Sequence, residues 1–283
     1  MNTDPILGPK ARDMKHRLFL ILGLILASAL APTGALADIE LSPLRQVLTA
    51  ENREVRFIIS NPSKRILDGQ VSWIDMSATE TGYAPATPEQ RTRLSAAPYL
   101  TVSPAQFRLN PGERREIVVR LRDEATPPEG ERRSHLLIET GAARTLIRKA
   151  SDKGLQVDIE AGISAPVIIR GDGKADASIE NTKLLRDSEG MLLVSTMITP
   201  SASYSTYGKL TASFSPADPE GKRSVLGIRE NVTGYTDTEH RLIEIPLGFF
   251  SLGAGELTLR YEGAGEFAGR VFDERKFDIA PPK

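Results

Sequence analysis

The sequence predicts an all-β protein, and three observations carry that prediction. No long stretch places apolar residues at i, i+3, i+4 and i+7, as a core-facing helix requires. Short runs of alternating apolar and polar residues recur instead. They are separated by turn clusters such as Asn61-Pro62, Asn110-Pro111-Gly112 and Ala217-Asp218-Pro219-Glu220-Gly221. The length of 283 residues suits two domains, each of roughly 100–150 residues. With 40% hydrophobic and 26% charged residues, the chain can build cores and is not a disordered polymer.

The first 37 residues read as an address. Lys10, Arg12, Lys15 and Arg17 precede the apolar run Leu18–Ala31, which is followed by Pro32 and by Ala35-Leu36-Ala37. A basic end, an apolar middle, a helix breaker and an A-x-A site are the order of a secretory signal peptide. The apolar run of about 14 residues is shorter than the ~20 needed to span a bilayer. The expectation is cleavage before Asp38 and an exported protein with no stable membrane insertion. The chain has no cysteine, whereas a eukaryotic secreted domain of this size usually carries disulfides. The compartment expected is therefore the bacterial periplasm.

From Ile39 the strands follow in order. Ile39–Leu48 opens, continuing past Pro43; Val55–Ile59, Gln70–Met76, Gln106–Leu109, Ile117–Leu121 and Ser134–Glu139 follow; Leu155–Ile169 is the longest. Seven strands over this span predict an immunoglobulin-like sandwich for residues 38–170. Arg170-Gly171-Asp172-Gly173-Lys174 is polar and breaks the pattern, so residues 171–175 are the expected linker. Its RGD tripeptide is too short a match to carry meaning. Residues 176–283 restart the theme, with strands at 177–185, 191–198, 209–215, 224–229, 241–247, 256–261 and 270–279. A second β-sandwich is expected there.

Composition excludes most chemistry. A net charge of −1 offers no basic face for nucleic acid. Without cysteine, and with only His16, His135 and His240, no thiol nucleophile, Cys-based zinc site or multi-histidine metal site is expected. Nucleophile-elbow, H-E-x-x-H, P-loop and G-x-G-x-x-G motifs are absent. His135 reads as a strand histidine with one face covered. Asp158 and Glu160, two apart on one strand, read as a solvated face; a glycosidase needs its carboxyls opposed across a sugar. Trp73 reads as core. The expectation is no catalytic residue, no metal and no cofactor.

The long strand calls for a partner. Leu155, Val157, Ile159, Ala161, Ile163, Ala165, Val167 and Ile169 are all apolar, while the intervening positions are polar, Gly or Pro except Ile168. Fifteen residues extend about 50 Å, against ~20 Å for an ordinary strand. Alternation alone leaves two readings open. Part of the row is exposed for pairing by strand addition, or the whole row is core and the strand bends at Gly162 and Pro166.

Six segments in order resemble the periplasmic pilus-assembly chaperones, the PapD-like family. Leu41-Ser42-Pro43-Leu44-Arg45-Gln46-Val47 is similar to the family's first strand, and Phe57-Ile58-Ile59-Ser60-Asn61 to its second. Gln70-Val71-Ser72-Trp73-Ile74 resembles the Q-x-W segment, and Ser103 to Glu113 the P-P-x-x-R-L-x-P-G stretch. Glu131-Arg132-Arg133-Ser134-His135-Leu136 loosely resembles D-R-E-S-x-x, and Leu155-Gln156-Val157-Asp158-Ile159 the donor strand. The resemblance implies two immunoglobulin-like domains meeting at a cleft, and no enzymatic activity. It implies pilus or fimbrial subunits as clients, an outer-membrane usher as the receiving partner, and self-association through the donor strand as a further contact. It places the anchor for the subunit's terminal carboxylate on Arg45, and the lent side chains on Leu155, Val157 and Ile159, with Ala161 and Ile163 following. Two departures stand out. The family's anchoring Lys falls on Ser164 or Pro166, so another base or Arg45 alone must hold the carboxylate. The family's interdomain acidic residue falls on Arg133. The competing expectation is a periplasmic binding or scaffold module that uses the same pair of sandwiches without serving pili.

Overall fold

The computed structural model describes residues 39–126, 129–142 and 161–280. The chain divides into Met1–Ala37 and one compact unit, Asp38–Lys283. The expected signal peptide, Leu155, Val157, Asp158, Ile159 and Glu160 lie outside the described residues.

Within the compact unit the protein is all-β and forms two sandwiches. One sheet of the first holds β1 (Glu40–Ser42), β3 (Glu54–Ser60), β9 (Arg114–Leu121) and β7 (Leu100–Ser103), in that spatial order. The facing sheet holds β2 (Gln46–Leu48), β11 (Ala161–Arg170), β10 (Glu131–Ala142), β4 (Leu67–Ile74) and β8 (Gln106–Leu109). This is the strand arrangement of an immunoglobulin sandwich. Its core draws on both inner faces: Phe57, Ile59, Ile117 and Val119 meet Leu48, Leu109, Leu136, Ile138, Val167 and Ile169, all fully buried. Alternation sets the inward face in β3, where Val55, Phe57 and Ile59 are buried and Arg56 and Ile58 exposed. Trp73 is half-buried and packs against this core.

Four elements depart from the sequence expectation, the first being β7, a strand that the alternation does not predict. The opening strand does not run on past Pro43. It splits into β1 and β2, which belong to opposite sheets: β1 pairs antiparallel with β3 and β2 parallel with β11. A helix, α1 (Pro88–Leu94), stands where the apolar pattern predicts none; Thr87 and Gln90 form a capping box and Pro88 opens the first turn. A small hairpin, β5 (Met76–Ala78) with β6 (Tyr83–Pro85), precedes it.

The second sandwich stacks a three-stranded sheet on a four-stranded one. The first contains β12 (Ala177–Arg186), β13 (Leu192–Pro200) and β16 (Arg241–Gly248). The second contains β15 (Ser224–Val232), β14 (Gly208–Pro216), β17 (Gly255–Gly263) and β18 (Val271–Ile279). These seven strands fall where the alternation predicts them. Val194, Ile198 and Ile245 meet Leu210, Leu259 and Tyr261 in its core.

Two fastenings away from the functional site hold the sandwiches together. The buried Arg133 guanidinium forks onto Asp237, with Nη1 to Oδ1 at 3.1 Å and Nη2 to Oδ2 at 2.9 Å, and lies 4.0 Å over the Tyr235 ring. The Ala78 amide donates to Asp237 Oδ2 at 2.7 Å. Next to this pair, the β5–β6 hairpin grips β16. The Leu242 amide donates to the Glu80 carbonyl at 2.8 Å, Arg241 Nη1 to the Gly82 carbonyl at 2.6 Å, and the Tyr83 and Tyr235 hydroxyls lie 2.5 Å apart. Arg133 thus carries its charge into the boundary between the two sandwiches, where Asp237 answers it.

Candidate functional site

The described part of the long strand, β11, has one satisfied edge and one largely open edge. Along Ala161–Arg170 it pairs residue for residue with β10. On its other edge, β2 covers only Val167–Ile169. Among the described residues no strand covers the outer edge of Ala161–Pro166, the kind of edge to which a strand can add. Pro166 sits where the cover ends, as a residue without an N–H can at a strand edge.

Burial along β11 resolves the apolar row into two parts. Ala165, Val167 and Ile169 are fully buried and belong to the first core. Ile168, on the opposite face, is also fully buried. Ala161 and Ile163 are half-buried, Ile163 resting against the edge of that core, and Gly162 and Ser164 are exposed. The row thus enters the sandwich from Ala165 onward and rises out of it toward Ala161. In the sequence, Leu155, Val157 and Ile159 continue the same parity beyond the described segment.

Arg45 stands at the end of the open edge. The parallel register begins at Gln46 opposite Val167, so Arg45 lies one position before the pairing, level with Pro166. Its side chain is only 7% exposed. The guanidinium lies 4.8 Å over the Tyr207 ring, and Nη1 donates to Glu266 Oε1 at 2.6 Å. Nε and Nη2 are buried and have no hydrogen-bond partner among the described residues. These two donors form the side-on fork that matches a carboxylate. Two unmade bonds on a buried cation are costly; Arg132, Arg133 and Arg241 each carry one such Nε as well, but Arg45 has two, side by side.

A second base completes the cluster. Arg170 is buried and fully engaged: Nε donates to Glu131 Oε2 at 2.9 Å, Nη1 to Glu266 Oε1 at 2.8 Å, and Nη2 to the Ser205 carbonyl at 2.8 Å. The Ser205 hydroxyl also bonds Glu131. Arg45 and Arg170 thus share one carboxylate oxygen. Burial pushes the Glu266 carboxyl up, but Arg45, a backbone amide and Arg170 outweigh it and hold it below the usual carboxylate range. The sequence pattern puts Arg170 at the edge of a polar linker. It belongs instead to β11 and joins Glu131 of the first sandwich to Ser205 and Glu266 of the second. The exposed part of the linker is only Asp172–Lys174.

His135 is buried on β10, edge-on to Tyr83 at 5.2 Å between ring centroids. Burial, aided by Arg133, lowers its pKa to about 4. It is a neutral interface residue at pH 7. No group of three or more His, Asp or Glu among the described residues is placed to hold a metal ion.

No protein-family model matches the chain, and no curated protein matches it. Among solved structures, several chaperones align along most of its length. The YadV chaperone is 12% identical, with 86% of this chain and all of that one covered and a TM-score of 0.42. The CupB2 chaperone of Pseudomonas aeruginosa is 14% identical, with 85% and 100% covered and a TM-score of 0.41. The SafA pilin–SafB chaperone complex of Salmonella enterica gives 15% identity, 86% and 97% coverage and a TM-score of 0.37.

Proposed function

We propose that this protein is a non-enzymatic periplasmic chaperone that captures pilus-type fibre subunits by lending them a strand and passes them to an outer-membrane usher. Its domains are residues 38–170 and 176–283, joined by 171–175, after a cleaved leader of 37 residues. The observation that carries the reading is the edge of β11 that no described strand covers, ending at the unbonded fork of Arg45. A client strand laid on Ala161–Pro166 with its terminal carboxylate at Arg45 must run in the same direction as β11, as β2 does. Arg45 sets the register, and the rising apolar row supplies side chains for the client's groove. Leu155, Val157 and Ile159 enter it, followed by Ala161 and Ile163. Burying each apolar side chain contributes roughly 1.5–3 kcal/mol. Arg170 stands in as the second base beside the anchor, because Ser164 and Pro166, the positions of the resembled lysine, carry no charge.

The test is co-expression with fibre subunits secreted by the same cell, followed by affinity purification. Arg45→Ala and Val157→Ser should each sharply lower client recovery, and the melting temperature of the free Val157→Ser protein should stay close to wild type. Recovery equal to wild type in both variants refutes the proposal. A large fall in the melting temperature of Val157→Ser returns that residue to the core.

A further inference from the structure

Resting on the reading of Arg45 as an anchor, we infer that Glu266 is a built-in stand-in for the client's carboxylate: it caps the anchor in the free protein and is displaced when a client binds. Glu266 is a carboxylate bound to Arg45 at 2.6 Å, the type of contact a chain terminus would make. It is also the member of the cluster best able to leave. Its side chain is 31% exposed, against 7% for Arg45, 5% for Arg170 and 3% for Glu131. It sits on the short 3-10 turn Gly265–Phe267, entered through Gly265 at φ 60°. If Glu266 swings into solvent, Arg170 keeps Glu131 and the Ser205 carbonyl. Arg45 keeps its stacking on Tyr207.

The exchange is balanced in charge. Two guanidinium groups face two carboxylates in the free protein, and a client carboxylate replaces Glu266 one for one. Once Glu266 has swung away, the incoming group can bond the Nε–Nη2 fork, which is buried and unbonded in the free protein, gaining two bonds where Glu266 makes one to this arginine. A neutral amide end offers one carbonyl acceptor but neither the charge nor the second oxygen that the fork matches, so the cap acts as a filter. Only a carboxylate that satisfies the fork outcompetes the resident one, and the anchor is never left as a bare buried cation.

The test needs no client. Propionate serves as the smallest carboxylate probe and propionamide as its neutral counterpart. Both are titrated into the purified protein while the arginine Nε–H signals are followed by NMR. Glu266→Gln should bind propionate roughly tenfold more tightly than wild type, within the usual range for competing groups. Arg45→Ala should bind neither compound, and propionamide should bind none of the proteins. Glu266→Ala repeats the comparison if the glutamine variant does not fold. Equal or weaker propionate binding in both Glu266 variants, with Arg45→Ala still inactive, overturns the cap, marks Glu266 as a fixed strut and leaves the anchor standing. Propionate binding by Arg45→Ala equal to wild type overturns the cap and the anchor together.

Discussion

Replacing His135 by phenylalanine should flatten the acid limb of this protein's stability curve. The imidazole is buried against Tyr83, and its pKa falls from 6.5 to about 4. Burial is the larger cause; Arg133 adds to it, while Asp75 and Asp237 oppose it. The folded protein therefore keeps the ring neutral over a pH range in which the unfolded chain protonates it. The unfolded state binds the extra proton, so stability is full above pH ~6.5 and is lost progressively as pH falls toward ~4. At ~1.4 kcal/mol for each pH unit between the two values, the loss amounts to about 3 kcal/mol. Phenylalanine keeps the edge-on contact with Tyr83 and removes a buried Nδ1 that has no hydrogen-bond partner among the described residues. At pH 7 the variant should therefore match or exceed wild type. Urea unfolding of both proteins at intervals from pH 7.5 to 4 measures the difference directly. Acid limbs that run parallel, with a gap unchanged between the two ends, would refute a neutral buried His135.

Further substitutions probe the frame that holds the site. Asp237→Asn leaves the Arg133 charge buried with too few partners and should cost ~3–5 kcal/mol, read from the denaturant midpoint; a loss below ~1 kcal/mol means the pair is dispensable. Gly69→Ala puts a methyl group 2.3 Å from the Phe107 ring and should lower stability by ~1–3 kcal/mol, which a thermal melt detects. Thr87→Ala removes the cap of α1 and should cost ~1 kcal/mol, with no effect on client capture in the same pull-down. Mass spectrometry of the exported protein should find Asp38 at its amino terminus.

Much of this architecture is legible in one dimension because period-2 burial is a local property. The seven strands of the second sandwich and the inward faces of β3 and β9 follow from alternation and turn residues. The helix is legible by another signal: Thr87-Pro88-Glu89-Gln90 is an N-terminal signature, easily passed over because α1 buries no residue and so shows no apolar stripe. The site is harder to read. Arg45 can be singled out by motif, but its Glu266 partner lies 221 residues away, and no spacing rule connects them. Arg170 reads as linker because charge next to two glycines usually is. Its burial depends on Glu131, Ser205 and Glu266 arriving from three separate elements. Arg133 poses the same difficulty: the identity of a buried ion pair is a tertiary fact, and either sign at one end can be answered by the other.

The buried ties between the sandwiches change what the short Asp172–Lys174 stretch is for. Arg133 with Asp237, the hairpin on β16, and Arg170 with its three partners are all made by side chains and backbone outside that stretch. The peptide link then serves as a tether that raises the local concentration of one half near the other, and the angle between them is written in the interface. A chain opened at Gly173, or lengthened there by several residues, should reassemble with the same geometry. The two halves could be encoded as separate polypeptides that find each other, which would let labels, mutations and client contacts be introduced into one half at a time.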